Sequence, residues 1–133
     1  MSLFLRRTKD AFFNQCKRFG PGRLDYALAD LRLLAMDAIR LGPCPYCGSR
    51  LTDKSVSFDH ATPICRGGSP EFANITVCCL SCNTAKGPLT AAEFRALLAF
   101  LQSFSPAAAT NTIARLKAGA RTARFSSPLT PHP

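Results

Sequence analysis

The sequence contains no long apolar run, and this absence narrows the kind of protein it can be. A membrane-spanning helix needs about 18 or more predominantly apolar residues, and no stretch of the 133 residues approaches that length. The apolar run Leu3 to Leu5 is followed directly by Arg6 and Arg7, so it is too short for the hydrophobic region of a signal peptide. We therefore predict a protein with no membrane partner.

Acidic residues are also scarce in this sequence. Eight Asp and Glu stand against 17 Lys and Arg, which gives a formal net charge of +9. Residues 1–43 and 90–133 carry +4 each, whereas residues 44–89 carry only +1. Surplus positive charge attracts phosphate-rich partners, so this distribution predicts basic ends that clamp a polyanion around a nearly neutral centre. Scattered solubilising charge is the simpler alternative.

The seven cysteines lack the even count of a disulfide framework. Four of them form two Cys-x-x-Cys pairs, a pattern typical of metal binding in a reducing compartment. We therefore expect a cytoplasmic protein. Two such pairs that converge on one ion make a tetrahedral structural zinc site. The predicted zinc ligands are Cys44, Cys47, Cys79 and Cys82.

Two other interpretations of the cysteine pairs stay open from the residues alone. One is four buried thiols without an ion, and the other is a thioredoxin-like dithiol, which needs a βαβ context that the sequence does not provide. Cys78 could replace its neighbour Cys79 as a ligand, but three residues would then separate it from Cys82. We predict that the remaining cysteines, Cys16, Cys65 and Cys78, are small apolar residues.

Apolar periodicity and turn residues predict several helices around one β-hairpin. Val56 and Phe58 alternate with polar neighbours, and a β-branched run follows Asn74, so each region indicates a short strand. Residues 63–70, with two adjacent glycines, indicate the loop between them. The predicted helices run from after Thr8 to Gly20, from Arg23 to Leu41, from Cys79 to Gly87, from a Thr90–Glu93 capping box onward, and from Ser105-Pro106 to about Ala118.

A second group of residues offers oxygen and nitrogen instead of sulfur. Asp59 and Asn83 carry the oxygen ligands that Mg²⁺ or Mn²⁺ prefers. His60 carries an imidazole whose ordinary pKa of about 6.5 lets it act as a neutral base. Neighbours in a strand point to opposite faces, so Asp59 and His60 can serve one site only if the chain bends there. Residues 61–63 could supply that bend.

The motifs follow one another in a characteristic order. Cys-x-x-Cys is followed by Asp-His-x-x-Pro, a Gly-Gly loop, an asparagine that opens an aliphatic strand, and Cys-x-x-Cys-Asn-x-x-Lys-Gly. Over about 45 residues this order resembles the HNH endonucleases of the ββα-metal type, in the subgroup with a four-cysteine zinc site. The resemblance implies an α+β fold with a small ββα-metal core, flanked by N- and C-terminal helices. It also implies an enzyme that hydrolyses phosphodiester bonds in DNA.

The resemblance further implies a role for each residue of the oxygen and nitrogen group. His60 would be the general base that activates water, and Asp59 and Asn83 would hold one catalytic Mg²⁺ or Mn²⁺. Asn74 would brace the loop and help to orient the histidine. Asn83 stands where many members have a third histidine, and an asparagine there also occurs in active members.

The resemblance implies DNA as the partner. The resemblance does not indicate the oligomeric state. Arg66 and Lys86, beside the loop and the last helix of the motif, are candidates to hold neighbouring phosphates, with ordinary surface charge as the alternative. The alternative function is a zinc-stapled nucleic-acid-binding module without cleavage activity. A retired site, however, has no physical reason to keep Asp59, His60 and both asparagines. A protein-interaction zinc ribbon is a third reading that would not need basic ends.

The motif boundaries divide the chain into four predicted segments. They are a basic N-terminal helical segment (1–43), a nuclease core with zinc knuckles (44–89), C-terminal helices packed on the core (90–120) and a disordered tail (121–133). In this division the basic ends flank the part of the chain that carries the chemistry.

Overall fold

The computed structural model describes residues 3–104 and 106–122. Within these residues it contains five α-helices and one two-stranded antiparallel sheet. The predicted α+β class is therefore confirmed. None of the described helices has the length and apolar character needed to cross a membrane. The elements are α1 (Leu3–Phe19), α2 (Leu28–Leu41), β1 (Val56–His60), β2 (Ile75–Cys79), α3 (Leu80–Lys86), α4 (Ala91–Gln102) and α5 (Pro106–Thr122).

A β-hairpin followed directly by α3 forms the centre of the fold. β1 and β2 pair from Val56 opposite Cys79 to His60 opposite Ile75. The β-branched residues of β2 favour an extended backbone, and α3 begins at the next residue along the chain. The first N–H of α3 donates to the carbonyl of Ser55 over 2.7 Å, which holds the start of the helix beside β1. The ββα core that the sequence predicts is therefore present.

The hydrophobic core lies where the hairpin, the cysteine pairs and α4 meet. Leu51, Val56, Phe94 and Leu98 are all buried there. The ring of Phe94 has no exposed surface and lies edge-on to the ring of Tyr46, with centroids 5.1 Å apart. Burial of such a ring contributes about 1.5–3 kcal/mol to folding. This contact fixes the first cysteine pair, which contains Tyr46, against α4.

The N-terminal helix begins earlier than its sequence pattern indicates. We predicted a start after Thr8, but α1 starts at Leu3. The Thr8 side chain is fully buried, and its hydroxyl donates to the carbonyls of Phe4 and Leu5 over 3.1 Å each. A hydroxyl that bonds back to the preceding turn belongs to the interior of a helix and does not cap it.

The segment between α1 and α2 holds these two helices and the loop before β2 together. We predicted that α2 would begin at Arg23, but Pro21–Arg23 form a 3-10 turn and the helix begins five residues after that predicted start. Tyr26 in this segment lies between Phe12 of α1 and Phe72, with ring centroids 6.0 Å and 5.6 Å away. The ring of Tyr26 thus joins α1 to the loop that leads into β2.

The capping box at the start of α4 is confirmed. The Thr90 hydroxyl accepts a hydrogen bond from the Glu93 N–H over 3.2 Å, and the Glu93 carboxylate accepts one from the Thr90 N–H over 3.4 Å. The following helix, α5, continues four residues beyond its predicted end at Ala118. Its predicted N-cap, Ser105, lies outside the described residues, as do residues 123–133 of the predicted tail.

Candidate metal centre and active site

The two cysteine pairs converge at the end of the hairpin that lies away from His60. The cysteine Sγ atoms all lie within 4.8 Å of one another, and those of Cys47 and Cys79 are 3.8 Å apart. Four zinc–sulfur bonds of about 2.3 Å in a tetrahedron place their sulfurs about 3.8 Å apart. The cluster therefore has the composition and spacing to hold a zinc ion. Its members are the four predicted ones, Cys44, Cys47, Cys79 and Cys82.

Hydrogen bonds around the cluster favour ionised sulfur. The N–H of Cys79 donates to Sγ of Cys44 over 3.4 Å, and the N–H of Cys82 donates to Sγ of Cys79 over 3.3 Å. Burial alone would raise the pKa of Cys47, but hydrogen bonds from Ser49 and from its neighbouring cysteines lower that pKa to about 7. A thiolate is the form that binds a metal, and the thiol of Cys47 is shifted toward it, whereas burial raises the pKa of Cys79 and of Cys82.

The cysteines outside the cluster differ from one another. Cys78 is fully buried on the sheet opposite Ser57, and burial, followed by the charge of Asp59, raises the pKa of its thiol. It is therefore the apolar packing residue that we predicted. Cys16 is half-buried, whereas Cys65 is exposed on the loop and fills no apolar space.

Asp59 is held by a lysine and a tyrosine. Nζ of Lys86 lies 3.2 Å from Oδ1 and 3.1 Å from Oδ2 of Asp59, and it also donates to the carbonyl of His60 over 3.0 Å. The Tyr46 hydroxyl donates to Oδ2 over 3.5 Å. Burial raises the pKa of the Asp59 carboxyl, and Lys86 in particular opposes that rise. Because Lys86 has no exposed side-chain surface, this is a buried ion pair.

His60 lies on the opposite face of β1 from the side chain of Asp59. The predicted bend occurs at residues 61–62, after the strand, so it does not turn both side chains to one face. His60 and Asp59 nevertheless border the same pocket, of about 220 Å³, which α1 closes from the other side. Burial lowers the pKa of His60, with Arg18 and Lys86 acting in the same direction and Asp59 opposing them. Burial therefore favours the neutral form of the imidazole.

One ring nitrogen of His60 forms no hydrogen bond with the other described residues. Its Nε2 atom is buried, and among the described residues it has no hydrogen-bond partner. A neutral imidazole has one nitrogen that accepts a proton. His60 thus combines the protonation state and the unoccupied position that a general base requires.

Asn74 braces the loop that follows β1. Its amide nitrogen donates to the carbonyls of Thr62 and Ser69 over 2.9 Å and 2.8 Å, and its Oδ1 accepts from the Thr62 N–H over 2.9 Å. Gly68 lies inside this loop, where an added Cβ would come within 1.8 Å of the Thr62 carbonyl oxygen. Only glycine allows this close approach, which explains the second glycine of the pair, whereas Gly67 has a positive φ of 83°.

Asn83 projects from α3 onto β1. Its amide nitrogen donates to Oγ of Ser57 over 2.7 Å and to the carbonyl of Phe58 over 3.0 Å. Both amide hydrogens are thereby used, and the amide is fixed beside the residue that precedes Asp59. This leaves Oδ1 of Asn83 as the atom that could bind a cation.

One part of the chain contains all of these features. They are the cysteine cluster, strand β1 with Asp59 and His60, and helix α3 with Asn83. Residues 44–98 match the HNH endonuclease family. This segment is an HNH endonuclease domain. The match continues past the predicted core end at residue 89 into α4, whereas α1, α2 and α5 lie outside it. None of the curated proteins matches the chain.

The match of residues 44–98 to the HNH endonuclease family indicates nuclease activity, and this family implies a divalent ion. Asp59 and Asn83 provide a carboxylate and an amide oxygen, which are hard ligands of the kind that Mg²⁺ prefers. Two protein oxygens suit this ion because it keeps several of its waters. Both Asp59 oxygens already face Lys86, so an ion there would share the carboxylate with the lysine. With that condition, the chemistry of this donor set suits a divalent ion.

The two predicted phosphate contacts of the HNH domain differ in accessibility. Arg66 is exposed at 44% of its side chain, where it pairs with Glu93 and donates to the Pro88 carbonyl over 3.5 Å. Lys86 is different, because its ammonium is buried against Asp59 and has no exposed surface. The prediction that Lys86 holds a phosphate therefore disagrees with its position, and its charge instead balances that of Asp59.

Sequence reasoning missed two parts of the site. Tyr46 contacts Asp59 from within the first cysteine pair, and its large ring between two cysteines was the only signal available. Gln15 and Arg18 of α1 line the pocket beside His60. Nothing in the motif indicates them, because they precede it by more than 25 residues.

Proposed function

We propose that this protein is a metal-dependent endonuclease that hydrolyses phosphodiester bonds in DNA. The observation that carries this proposal is the His60 imidazole, which has a buried nitrogen without a described partner at a pocket of an HNH domain. DNA as the substrate is supported by the net charge of +9. The absence of disulfides among the described cysteines is compatible with a cytoplasmic location.

In this proposal His60 is the general base. The imidazole accepts one proton of a water molecule, and the water oxygen forms the new bond to phosphorus. The bond from phosphorus to the 3′ oxygen breaks, and that oxygen keeps the electron pair and takes a proton from solvent. His60 then releases its own proton to solvent, which completes the cycle. Removal of such a base typically costs about 10²- to 10⁴-fold in rate.

Asp59 and Asn83 would hold Mg²⁺ or Mn²⁺ in this proposal. When bound, such an ion supplies Lewis-acid stabilisation of the negative charge on the reacting phosphate. Lys86 and Tyr46 orient Asp59, since each of them contacts its carboxylate. Asn74 keeps the loop after His60 in place through its three hydrogen bonds. The cysteine cluster would hold zinc as a structural ion.

The proposed activity can be tested by incubating purified protein with supercoiled plasmid. We expect nicking with Mg²⁺ or Mn²⁺ and none in EDTA, because oxygen ligands hold these ions weakly. His60→Ala should reduce the single-turnover rate by about 10²- to 10⁴-fold. His132→Ala is the matched control, because it changes the other histidine of the chain, outside the HNH domain.

Two outcomes would contradict the proposal. If the wild-type protein binds DNA but does not nick it in the presence of any divalent ion, the chain is a zinc-stapled binding module without cleavage activity. If His60→Ala cleaves as fast as His132→Ala, then His60 is not the base. Zinc content and circular dichroism should be equal in both variants, so that a lost fold is not mistaken for a lost base.

A further inference from the structure

The pocket beside His60 contains an unusual concentration of polar atoms without partners. Oε1 of Gln15, the hydroxyl of Tyr26 and Nε2 of His60 are all buried, and no described residue bonds to them. All three residues line the same pocket of about 220 Å³. Buried polar atoms nearly always have a partner, and one water in bulk liquid occupies about 30 Å³. The pocket therefore has room for a polar occupant, and its lining residues carry hydrogen-bonding atoms that have no described partner.

The charge at this pocket favours an anion as that occupant. Arg18 lines the pocket from α1, and among the described residues it forms no ion pair. Its guanidinium lies over the ring of Phe19, 5.3 Å from the centroid, which leaves its N–H groups for a ligand. The negative charge on the opposite wall belongs to Asp59, and the buried Lys86 balances it. Because Asp59 is paired with Lys86, Arg18 is the charged lining residue of the described pocket that has no ion-pair partner.

We propose that the pocket between α1 and β1 receives a phosphate of the DNA backbone, with Arg18 and Gln15 of α1 completing the active site beside His60. This inference rests on the proposed nuclease function and adds to it two residues from outside the HNH domain. An arginine suits the task because its planar guanidinium binds two phosphate oxygens at once.

The unpartnered atoms divide naturally between a phosphate and the attacking water. A phosphate oxygen only accepts hydrogen bonds, so it takes them from Arg18 and from the Tyr26 hydroxyl. The attacking water has two hydrogens to give, and Oε1 of Gln15 and Nε2 of His60 are acceptors of lining residues that have no described partner. Gln15 is in this arrangement a positioning residue that orients the water toward His60. Arg18 is the residue that touches the phosphate.

The first test compares Arg18→Ala with Lys17→Ala. Both substitutions remove one positive charge from neighbouring exposed positions of α1, but only Arg18 lines the pocket. At saturating DNA with Mg²⁺, we expect Arg18→Ala to lower the single-turnover nicking rate by about 10²-fold or more. Lys17→Ala should change that rate less than about threefold, since loss of one outer charge affects binding. Arg18→Lys should recover only part of the rate, because it restores the charge and not the two-pronged contact.

The second comparison concerns Gln15 and separates positioning from binding. We expect Gln15→Ala to lower the rate constant at saturating DNA by about tenfold with little change in the DNA concentration at half-maximal rate. Equal rates for Arg18→Ala and Lys17→Ala in an active protein would overturn the inference. Faster cleavage by Arg18→Ala or Gln15→Ala would also overturn it, because α1 would then be a cover over His60.

A readout without cleavage keeps this inference distinct from the nuclease proposal. Inorganic phosphate titrated into the zinc-loaded protein should shift the NMR signals of the Gln15 side-chain amide and the His60 ring. Those shifts should persist in Lys17→Ala and disappear in Arg18→Ala. If the wild type does not nick DNA, these shifts still identify a phosphate site and only the nuclease function fails. If phosphate leaves both signals unchanged, the pocket is not a phosphate site.

Discussion

The two faces of the hairpin differ in whether their buried polar groups have hydrogen-bond partners. On the α3 face, Asp59 is bonded to Lys86 and Tyr46, and the Asn83 amide uses both of its hydrogens on β1. On the α1 face, His60 and Gln15 each have a buried polar atom without a described partner, as does Tyr26 beside them. Strand β1 thus separates a network of satisfied hydrogen bonds from a pocket whose buried polar atoms have no described partner.

The difference between the faces indicates a division of work. A buried polar atom that lacks a partner costs about 1–3 kcal/mol, so three of them in one pocket weaken the fold. The satisfied α3 face, together with the cysteine cluster that shares Cys79 and Cys82 with it, supplies the stability that the pocket gives up. Strained or unsatisfied groups concentrate at functional sites when the surrounding structure holds them in place.

The largest expected effect is on the cysteine cluster of the satisfied side. Structural zinc contributes about 10–16 kcal/mol to folding in small domains, which matches or exceeds the total stability of about 5–15 kcal/mol of a typical domain. We therefore expect Cys47→Ser to lose zinc and to give insoluble or molten protein. Cys65→Ser is the matched control, because both cysteines are exposed and only Cys47 belongs to the cluster.

Zinc content per chain and near-ultraviolet circular dichroism measure this effect. Wild type and Cys65→Ser should each contain one zinc per chain and resist mild EDTA. A folded wild-type protein without zinc would remove the metal from the account of stability. The comparison of the two faces would then depend on hydrogen bonds alone.

The next largest effect concerns the buried ion pair. Lys86→Met keeps the length of the side chain but leaves the carboxylate of Asp59 buried without its cation, and such changes cost about 3–5 kcal/mol. Urea unfolding of the zinc-loaded protein measures the loss. Combining Lys86→Met with Asp59→Asn should recover part of it, because the buried charge is then also gone.

Arg66→Ala is the control for Lys86→Met. It removes the basic partner of a second long-range pair among the described residues, but the side chains of Arg66 and Glu93 are 44% and 41% exposed. Solvent screens such a pair, so the urea midpoint should move far less than with Lys86→Met. Equal shifts in the two variants would mean that Lys86 does not act as the counter-charge of Asp59.

Much of the α3 face and of the cysteine cluster could be predicted from the sequence, because short local patterns determine them. The spacing of the Cys-x-x-Cys pairs identified the four cysteines that form the cluster, because each pair is a short turn whose geometry depends on few residues. The Thr90 capping box was likewise correct, since both of its bonds lie within four residues. The positions of Asp59, His60 and Asn83 on the strand and the helix follow from the same motif.

The pocket side could not be predicted in the same way, because it depends on contacts between distant parts of the chain. The basic residues of α1 appear in the sequence only as charge for a polyanion, whereas the aromatic contacts through Tyr26 bring Gln15 and Arg18 next to His60. Lys86 was assigned to the surface for a similar reason. Nothing in the motif indicates that the acid it pairs with lies 27 residues earlier.

The smallest effect gives the most direct test of the two faces, because the same change can be made on each. Tyr46→Phe removes a hydroxyl that bonds to Asp59 over 3.5 Å, and Tyr26→Phe removes one that has no described partner. Both variants keep the ring and its aromatic contacts. We expect Tyr46→Phe to lower the free energy of unfolding by about 1 kcal/mol. Tyr26→Phe should leave it unchanged or raise it, since a buried unsatisfied group is lost.

Urea unfolding curves at equal zinc content measure the free energy of unfolding of both variants. Similar losses would show that the Tyr26 hydroxyl is satisfied, for instance by water, and the contrast between the faces would no longer hold at that position.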